Sequence, residues 1–487
     1  MPDQSLKKKT VKGVFWNAVD KFGTQAISFV IGIILARILM PSDYGLIGML
    51  AIFFAFSELF VNSGFSSALI QKKDRSEADY STIFYFNITV AVIFYFVLFF
   101  TAPLIARFYN APQLTDLTRV LSLIIIFNSL SLVQATRLTV NLDFRTQAIV
   151  SFTSNIISGI TGVIAAYGGL GVWSLVLQRL LYAIIRSFLF FILSRWKPIM
   201  IFSKQSFRQL FGFSSKLLGA GVVASFFNNM YSLLIGKFFS AGELGFYTKA
   251  RQYPEMLSGL ITTIHQGVTY PVLASLQDDR ERLVSVYGRL MRMIVFFVIP
   301  LMTLFAIFSG PFIRVLLTEK WAPAIPLMQW LCFARMITPI SALNMNILNA
   351  VGRSDLYFRV DISKFPLALL ALIVSIPIGL KAIVIGNFIV TFISFFINAY
   401  YPGKFYDFGA ARQIKEMLPV ILATLFAAFA AFGIVFLIPA DLLKLIVGIP
   451  VAGIIYLLSA RLLKIRELDE VLQLINGIIN KVRSKNA

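Results

Sequence analysis

Seven basic side chains of this sequence fall inside long apolar stretches, where charge is costly. A charged side chain at the centre of a membrane-spanning helix costs about 2.5–3.5 kcal/mol. Acidic residues in the same stretches are fewer, so cations are in excess. Such an excess indicates a hydrated cavity that receives an anion. The basic residues are Lys21, Arg137, Arg179, Arg186, Lys216, Arg335 and Lys364, and the acidic ones are Asp20, Glu58, Glu255 and Asp361.

The first apolar stretch carries a row of polar residues at helical spacing, which are Asn17, Asp20, Lys21, Thr24 and Ser28. This spacing places them on one face of a helix, and we expect that face to line the cavity because polar side chains avoid lipid. Lys21 and Asn17 are candidate substrate-binding residues. Asp20 is the candidate coupling-ion site, because a carboxylate in a low-dielectric environment can exchange a proton or Na⁺. The alternative is that Asp20 and Lys21 only stabilise helix packing.

Arg179 and Arg186 lie on one helix face of a later apolar stretch. Arginine binds two phosphate oxygens at once, so both residues are candidate substrate-binding residues. Snorkelling of the two side chains towards the membrane surfaces is the alternative. Three further candidates are Lys216, near the end of its stretch, Asn228, on a small polar face, and Arg335, in the middle of its stretch. Snorkelling is the alternative for Lys216, and close helix packing is the alternative for Asn228.

Apolar stretches recur along all 487 residues, of which 58% are hydrophobic and 14% charged. Each stretch is about 20 residues long, which is enough to cross a bilayer as a helix. The sequence therefore predicts an all-α polytopic membrane protein with about fourteen transmembrane helices. The predicted spans are residues 14–36, 44–63, 81–105, 120–140, 148–167, 172–193, 213–236, 253–275, 291–308, 325–349, 362–380, 382–401, 418–438 and 442–460.

A repeated segment divides the chain into two similar halves. ARILMPSDYGLIG at residues 36–48 returns as GKFFSAGELGFYT at 236–248, with Gly45 matching Gly245. In a membrane protein such a repeat predicts two pseudo-symmetric six-helix lobes, here followed by an additional helix pair. The predicted divisions are an N-lobe at 1–195, an amphipathic interlobe linker at 196–212, a C-lobe at 213–405, helices 13 and 14 at 406–464, and a cytoplasmic amphipathic tail at 465–487.

The positions of the basic residues indicate that the net charge of +21 reflects membrane topology and not nucleic-acid binding. Lys and Arg residues concentrate in the N-terminal segment and in alternate connections, for example at Lys72, Lys73, Arg280 and Arg282. This bias predicts that both termini are cytoplasmic and that the chain crosses the membrane an even number of times. We expect membrane lipid as a partner and no nucleic acid.

Motifs of several enzyme and motor classes are missing from the sequence. It has no GxxxxGK[ST] loop, no HExxH motif and a single histidine, so we expect no ATP-driven motor, no metal and no cofactor. That histidine, His265, is interpreted as a packed residue, with a proton relay as the alternative. Arg137 and Lys364, near the ends of their spans, are interpreted as anchoring or ion-paired residues.

Three segments resemble one bacterial family. They are GVFWNAVDKFGTQAISFVIGIILARILMPSDYGLIGML (13–50), SGFSSALIQKKD (63–74) and LLTEKWAPAIPLMQWL (316–331). They resemble the polysaccharide and O-antigen export flippases of the Wzx-like, colanic acid exporter type, within the multidrug/oligosaccharidyl-lipid/polysaccharide (MOP) superfamily. The resemblance implies alternating access by two lobes in the bacterial inner membrane. It also implies an undecaprenyl-pyrophosphate-linked oligosaccharide as substrate, with polysaccharide polymerase and glycosyltransferases as partners, and leaves coupling to H⁺ or Na⁺ open.

Other functions stay open from the sequence alone. A multidrug or cation antiporter of the same superfamily would favour an acidic, aromatic cavity rather than a cationic one. A flippase for the peptidoglycan precursor lipid II would share the fold. A membrane glycan ligase or polymerase would need a sizeable catalytic loop, whereas the connections between the predicted spans are short.

Overall fold

The chain is helical along its described length. A computed structural model describes residues 2–62, 64–473 and 476–477. Within this part, side chains are not described at residues 2–11, 213, 216, 217, 220 and 263–268. The described residues form seventeen α-helices, one 3₁₀ turn (Glu319–Trp321) and a further helical segment at 466–473, and they contain no strand. The prediction of an all-α protein is confirmed.

The chain divides into two compact units, Met1–Gly245 and Phe246–Ala487. The helices that begin in the first unit are α1 (Pro2–Ile38), α2 (Pro41–Asn62), α3 (Phe65–Gln71), α4 (Glu77–Tyr109), α5 (Leu114–Leu121), α6 (Leu123–Val140), α7 (Phe144–Tyr167), α8 (Val172–Ser194), α9 (Lys204–Phe238) and α10 (Ala241–Ser275). The helices that begin in the second unit are α11 (Arg280–Leu317), α12 (Ala324–Ala350), α13 (Ser354–Ser363), α14 (Phe365–Ser375), α15 (Leu380–Tyr406), α16 (Ala410–Leu437) and α17 (Asp441–Leu462).

Eleven helical segments of the described part are long and apolar enough to cross a membrane, so the predicted count of fourteen spans is not confirmed. The predicted spans without a match are 213–236, 253–275 and 362–380. The first two lie in α9 and α10, which both contain positions whose side chains are not described. The third coincides with α13 and α14, two short helices that are separated next to Pro366, a residue without a backbone N–H to donate.

The predicted interlobe linker is partly helical. Helix α9 begins at Lys204, because Ser203 caps it by accepting a hydrogen bond from the backbone N–H of Ser206 (3.2 Å). The preceding residues are held against α4, where the indole of Trp196 donates to Glu77 Oε2 (2.6 Å). Helix α9 then packs on α2, α3 and α4. The division into two six-helix lobes with a linker and a tail stays a prediction.

The repeated segment forms two matching helix starts. In the first copy, Asp43 accepts a hydrogen bond from the backbone N–H of Met40, just before α2 (2.8 Å). In the second copy, Glu243 accepts from the backbone N–H of Ser240, just before α10 (3.0 Å). Both carboxylates occupy the third position of their helix and satisfy a donor that has no partner within the helix. The matching residues of the repeat therefore make the same bond.

Gly45 and Gly245 let the starts of α2 and α10 approach each other closely. A Cβ on Gly45 would lie 1.7 Å from the carbonyl oxygen of Ala241, and a Cβ on Gly245 would lie 1.8 Å from that of Pro41. The two contacts are reciprocal, since each glycine faces the first residue of the other helix. Any larger residue at either position would collide with backbone, which cannot rotate away as a side chain can.

A buried polar network joins three helices of the second unit. The hydroxyl of Tyr287 on α11 donates to Asn344 Oδ1 on α12, and Asn344 Nδ2 donates to Gln413 Oε1 on α16 (3.1 Å). Gln413 Nε2 donates to the carbonyl of Phe408 (2.9 Å). All three polar side chains are fully buried, so the bonds replace those that water would supply. The network holds α11, α12 and α16 in contact.

We expect Gly45→Ala to lower the free energy of unfolding by about 1–3 kcal/mol, because the new methyl group must displace the backbone of α10. Thermal unfolding of the purified protein in detergent measures this as a lower midpoint. The matched control is Gly32→Ala on α1, where no atom lies within 4 Å of the added Cβ. The control should not lower the midpoint, and equal midpoints for the two variants would contradict the close approach of α2 and α10.

Candidate functional site

A polar cavity of about 430 Å³ lies in the first unit, between α2, α3, α6 and α8. Its lining combines a carboxylate, a guanidinium, amides and hydroxyls with a few aliphatic side chains. A cavity of this composition suits a hydrated polar ligand better than an apolar one. The polar lining includes Glu58, Asn62, Ser66, Asn128, Thr136 and Arg186.

Glu58 of α2 is the carboxylate of this cavity. Asn128 Nδ2, on α6, donates a hydrogen bond to Glu58 Oε1 (3.1 Å), and Arg179 and Arg186 of α8 both attract the carboxylate. The guanidinium of Arg186 also lies 5.3 Å from the ring centroid of Phe190. One carboxylate therefore faces two guanidinium groups, and the cluster keeps positive charge in excess.

Arg179 and Arg186 lie on the side of α8 that faces Glu58. Arg179 is exposed and Arg186 is half-buried. Neither arginine forms an ion pair with Glu58 within 4 Å among the described residues, so their attraction to it acts over a longer distance. Because a guanidinium presents paired N–H donors, each arginine can bind two oxygens of a phosphate. A bound phosphate would then compete with Glu58 for the same positive charge.

Hydroxyl groups extend the polar wall of the cavity. Thr136 Oγ1 donates to the backbone carbonyl of Leu132 (2.8 Å) and accepts from Ser66 Oγ (3.0 Å), which leaves the lone pairs of Ser66 to accept a hydrogen bond from a ligand. Thr139 accepts a hydrogen bond from Gln147 Nε2 (3.0 Å). Hydroxyls and amides of this kind are suited to bind sugar hydroxyl groups.

Part of the predicted polar face of α1 packs on α7 instead of lining a cavity. Asn155 Nδ2 on α7 donates to Ser28 Oγ (2.8 Å) and to the backbone carbonyl of Thr24 (3.1 Å). For Ser28 the expectation of a cavity-lining side chain is therefore corrected, whereas the side chain of Thr24 bonds to Asp20 on the same helix (3.2 Å). Polar residues avoid lipid equally well by bonding to a neighbouring helix, and spacing in one helix does not distinguish the two outcomes.

The remaining predicted site residues of α1 and α9 occupy less defined positions. Asp20 accepts a hydrogen bond from Thr24 Oγ1 (3.2 Å) and is partly exposed, as is Asn17. Lys21 and Asn228 are exposed. The side chain of Lys216 lies outside the described residues. The substrate and coupling-ion roles of these residues stay predictions.

A second charged cluster lies in the second unit, where α10 faces α12. Glu255 Oε1 forms ion pairs with Arg251 Nε (2.6 Å) and Arg335 Nη2 (2.7 Å). The backbone carbonyl of Arg335 also accepts a hydrogen bond from Ser258 Oγ (3.0 Å). Arg335, a predicted substrate-binding residue, is thus already paired, yet the cluster again contains two guanidinium groups for one carboxylate.

The two basic residues interpreted as ion-paired do form ion pairs. Arg137 Nη2 lies 3.2 Å from Glu77 Oε1, and Lys364 Nζ lies 2.6 Å from Asp361 Oδ1, which confirms that interpretation. The side chain of His265 lies outside the described residues. Among the residues that are described, no three His, Cys, Asp or Glu side chains come together as a metal site would require.

Two partners in these clusters were missed in the sequence. Arg251 precedes Glu255 by four residues, a spacing that brings side chains together on a helix, so a usable signal was present. Asn128 gave no such signal, because its contact with Glu58 joins α2 and α6 and depends on how those helices pack.

These apolar helices with charged clusters among them are those of a multi-pass membrane protein, and two solved structures share its fold. A solved structure described as lipid II flippase MurJ, inward closed conformation, superposes with a TM-score of 0.75 at 16% identity, covering 92% of this chain and 98% of that one. An inward-facing multidrug resistance MATE family transporter of the MOP superfamily superposes with a TM-score of 0.60 at 14% identity, covering 78% and 95%. At these identities the likeness shows the fold alone.

The chain belongs to the family described as "Polysaccharide biosynthesis protein", whose sequence profile matches residues 34–326. The family expected from the three segments is confirmed. Similar relatives include the teichuronic acid biosynthesis protein TuaB of Bacillus subtilis (strain 168), 24% identical over 88% of this chain and 90% of its own length. The succinoglycan biosynthesis transport protein ExoT of Rhizobium meliloti (strain 1021) is 26% identical over 73% and 72%. The lipopolysaccharide biosynthesis protein WzxC of Escherichia coli (strain K12) is 24% identical over 76% of each chain.

We expect Glu255→Gln to lower the thermal midpoint in detergent by a few degrees, because Arg251 and Arg335 would then repel each other without a carboxylate between them. The double variant Glu255→Gln/Arg251→Gln removes that repulsion and should recover part of the loss. The single variant Arg251→Gln completes the comparison. If the midpoint shift of the double variant equals the sum of the shifts of the two single variants, Glu255 and Arg251 act independently and the interpretation is wrong.

Proposed function

We propose that this protein translocates an oligosaccharide linked to undecaprenyl pyrophosphate from the inner to the outer leaflet of a bacterial inner membrane. The substrate would be the repeat unit of a surface polysaccharide. Membership of the polysaccharide biosynthesis family supports the pathway. The relatives include a succinoglycan biosynthesis transport protein and a lipopolysaccharide biosynthesis protein. Their names support an extracellular glycan as the end product of the pathway in which this protein would act. The proposed activity is transport and not catalysis.

The two guanidinium groups beside Glu58 support this proposal most directly. A pyrophosphate diester carries two negative charges and several oxygens, and Arg179 and Arg186 present paired donors to such a group. Charge-assisted hydrogen bonds of this kind contribute about 1.5–3 kcal/mol each. The amides and hydroxyls of the same cavity would bind the sugars that follow the pyrophosphate.

Alternating access would move the headgroup while the prenyl chain stays in the lipid. The headgroup alone must cross the apolar core, because the prenyl chain is as apolar as the bilayer. A cavity with basic side chains beside it lowers the free-energy cost of moving the charged headgroup across. Both termini would lie in the cytoplasm, in accordance with the distribution of Lys and Arg.

Arg179→Gln and Arg186→Gln should each slow translocation by about tenfold or more, because each removes charge-assisted bonds to the pyrophosphate. The assay uses proteoliposomes with a fluorescent undecaprenyl-pyrophosphate-linked disaccharide and a membrane-impermeant quencher. Arg107→Gln is the control, since Arg107 is an exposed arginine of the first unit in the last turn of α4 that neither lines the cavity nor is among the charges that attract Glu58. Unchanged rates in the α8 variants, at equal protein incorporation, would overturn the proposed role of the cluster.

Asp20→Asn should abolish any acceleration of translocation by an imposed proton or Na⁺ gradient, because the amide can neither bind a proton at neutral pH nor carry charge. The amide oxygen can still accept the hydrogen bond from Thr24, so folding should be preserved. Asp116→Asn, at an exposed position of α5, serves as the control. Gradient dependence that persists in Asp20→Asn would exclude this residue as the coupling site.

A further inference from the structure

A second cavity with basic walls lies in the second unit, apart from the Glu255 cluster. Its volume is about 570 Å³, and it is formed by α11, α16 and the chain that follows α17. Five basic residues line it, against two acidic ones. The basic residues are Arg292, Arg412, Lys415, Lys464 and Arg466, and the acidic ones are Glu416 and Glu467.

A single arginine engages both acidic residues of this cavity. Arg292 Nη1 lies 2.6 Å from Glu416 Oε2, and Arg292 Nε lies 2.7 Å from Glu467 Oε1. Arg412 donates to the backbone carbonyl of Asp407 (3.3 Å). The carboxylates are therefore not available to neutralise the other cations of the wall.

The remaining cations are Lys415, Lys464 and Arg466, and all three are exposed. Within the described part of the chain none of them forms an ion pair. The sequence after Glu470 contains no Asp or Glu, so no acidic side chain of that segment can neutralise them. Three cations that converge on one cavity repel each other, and this arrangement is relieved when an anion binds among them.

The cavity adjoins apolar surface on two membrane-spanning helices. Pro419 and Leu463 belong to its wall. The neighbouring residues Leu418 of α16 and Leu462 of α17 are 49% and 82% exposed. Because α16 and α17 are membrane spans by length and composition, these leucines present a surface for acyl chains directly beside the cations.

We propose that this cavity binds the headgroup of an anionic phospholipid. The phosphate lies among Lys415, Lys464 and Arg466, and the acyl chains extend along Leu418 and Leu462. The positive charge of this cavity, at the end of membrane helices, attracts a lipid phosphate. The adjoining leucines favour a lipid over a soluble phosphate. The bound lipid would tie the segment 466–473 to α16, because its phosphate bridges Arg466 and Lys415. This site is independent of the proposed transport cavity in the first unit.

The test measures binding of phosphatidylglycerol to the purified, delipidated protein in a neutral detergent by native mass spectrometry. The triple variant Lys415→Gln/Lys464→Gln/Arg466→Gln should weaken binding by about a hundredfold, since each basic residue near a membrane surface contributes about a fivefold factor. Phosphatidylcholine, which has no net charge, should bind weakly to both proteins. Glycerol phosphate at millimolar concentration should not displace the lipid.

A matched control removes the same charge elsewhere. Lys197→Gln/Lys204→Gln/Arg208→Gln changes three exposed basic residues of the first unit, and it should keep the lipid affinity of the unaltered protein. Equal losses in the two triple variants, or no loss in the first, would overturn the site. Displacement by glycerol phosphate would overturn the assignment to a lipid. The thermal midpoint of the triple variant reports whether it folds. If it does not fold, the single variants Lys415→Gln and Arg466→Gln replace it, and each should weaken lipid binding by about fivefold.

Discussion

A carboxylate inside a membrane-spanning bundle is stable only with cations or hydrogen-bond donors beside it. Each unit of this protein meets that constraint in the same way. Glu58 faces two arginines of α8, and Glu255 is paired with Arg251 and Arg335. In both places the donors outnumber the carboxylate by one charge. Under the proposed function, this excess of positive charge would let each cluster receive an anion, while the carboxylate would attract the arginines before any anion arrives.

The internal repeat explains why the two carboxylates lie on corresponding helices. A shift of 200 residues aligns α2 with α10 and places Glu58 opposite Ser258, three residues from Glu255. Three residues are slightly less than one helical turn, so both carboxylates project from about the same side of their helix. The reciprocal contacts of Gly45 and Gly245 show that the starts of these two helices also pack as equivalents. The two halves therefore place a carboxylate on corresponding helices, at positions that differ by three residues.

Local features of this protein could be predicted from the sequence because they depend on neighbours in the chain. The repeat gave the junctions at residues 36–48 and 236–248, and the spacing of Arg179 and Arg186 gave their common face on α8. The Arg137–Glu77 pair was anticipated only in kind, since ion pairing was expected without its partner. Features that depend on which helices pack together could not be derived. The hydrogen bond from Asn128 to Glu58 and the contact of Asn155 with Ser28 both join distant helices, and one polar face on α1 is compatible with either packing or a cavity.

Under the proposed function, the carboxylate of Glu58 also affects release of the substrate, which transport requires as much as binding. Two guanidinium groups without a carboxylate would hold a pyrophosphate so tightly that it could not leave within a transport cycle. With Glu58 present, a bound phosphate would compete with this carboxylate for the attraction of the two arginines, so the net gain would be smaller than their full attraction. Departure of the substrate would then be assisted, because Glu58 still balances part of the positive charge that is left behind. Under the proposed function, the strength of this internal competitor sets the affinity for the headgroup, and the sugars that contact the amides and hydroxyls of the cavity wall set which glycan is carried.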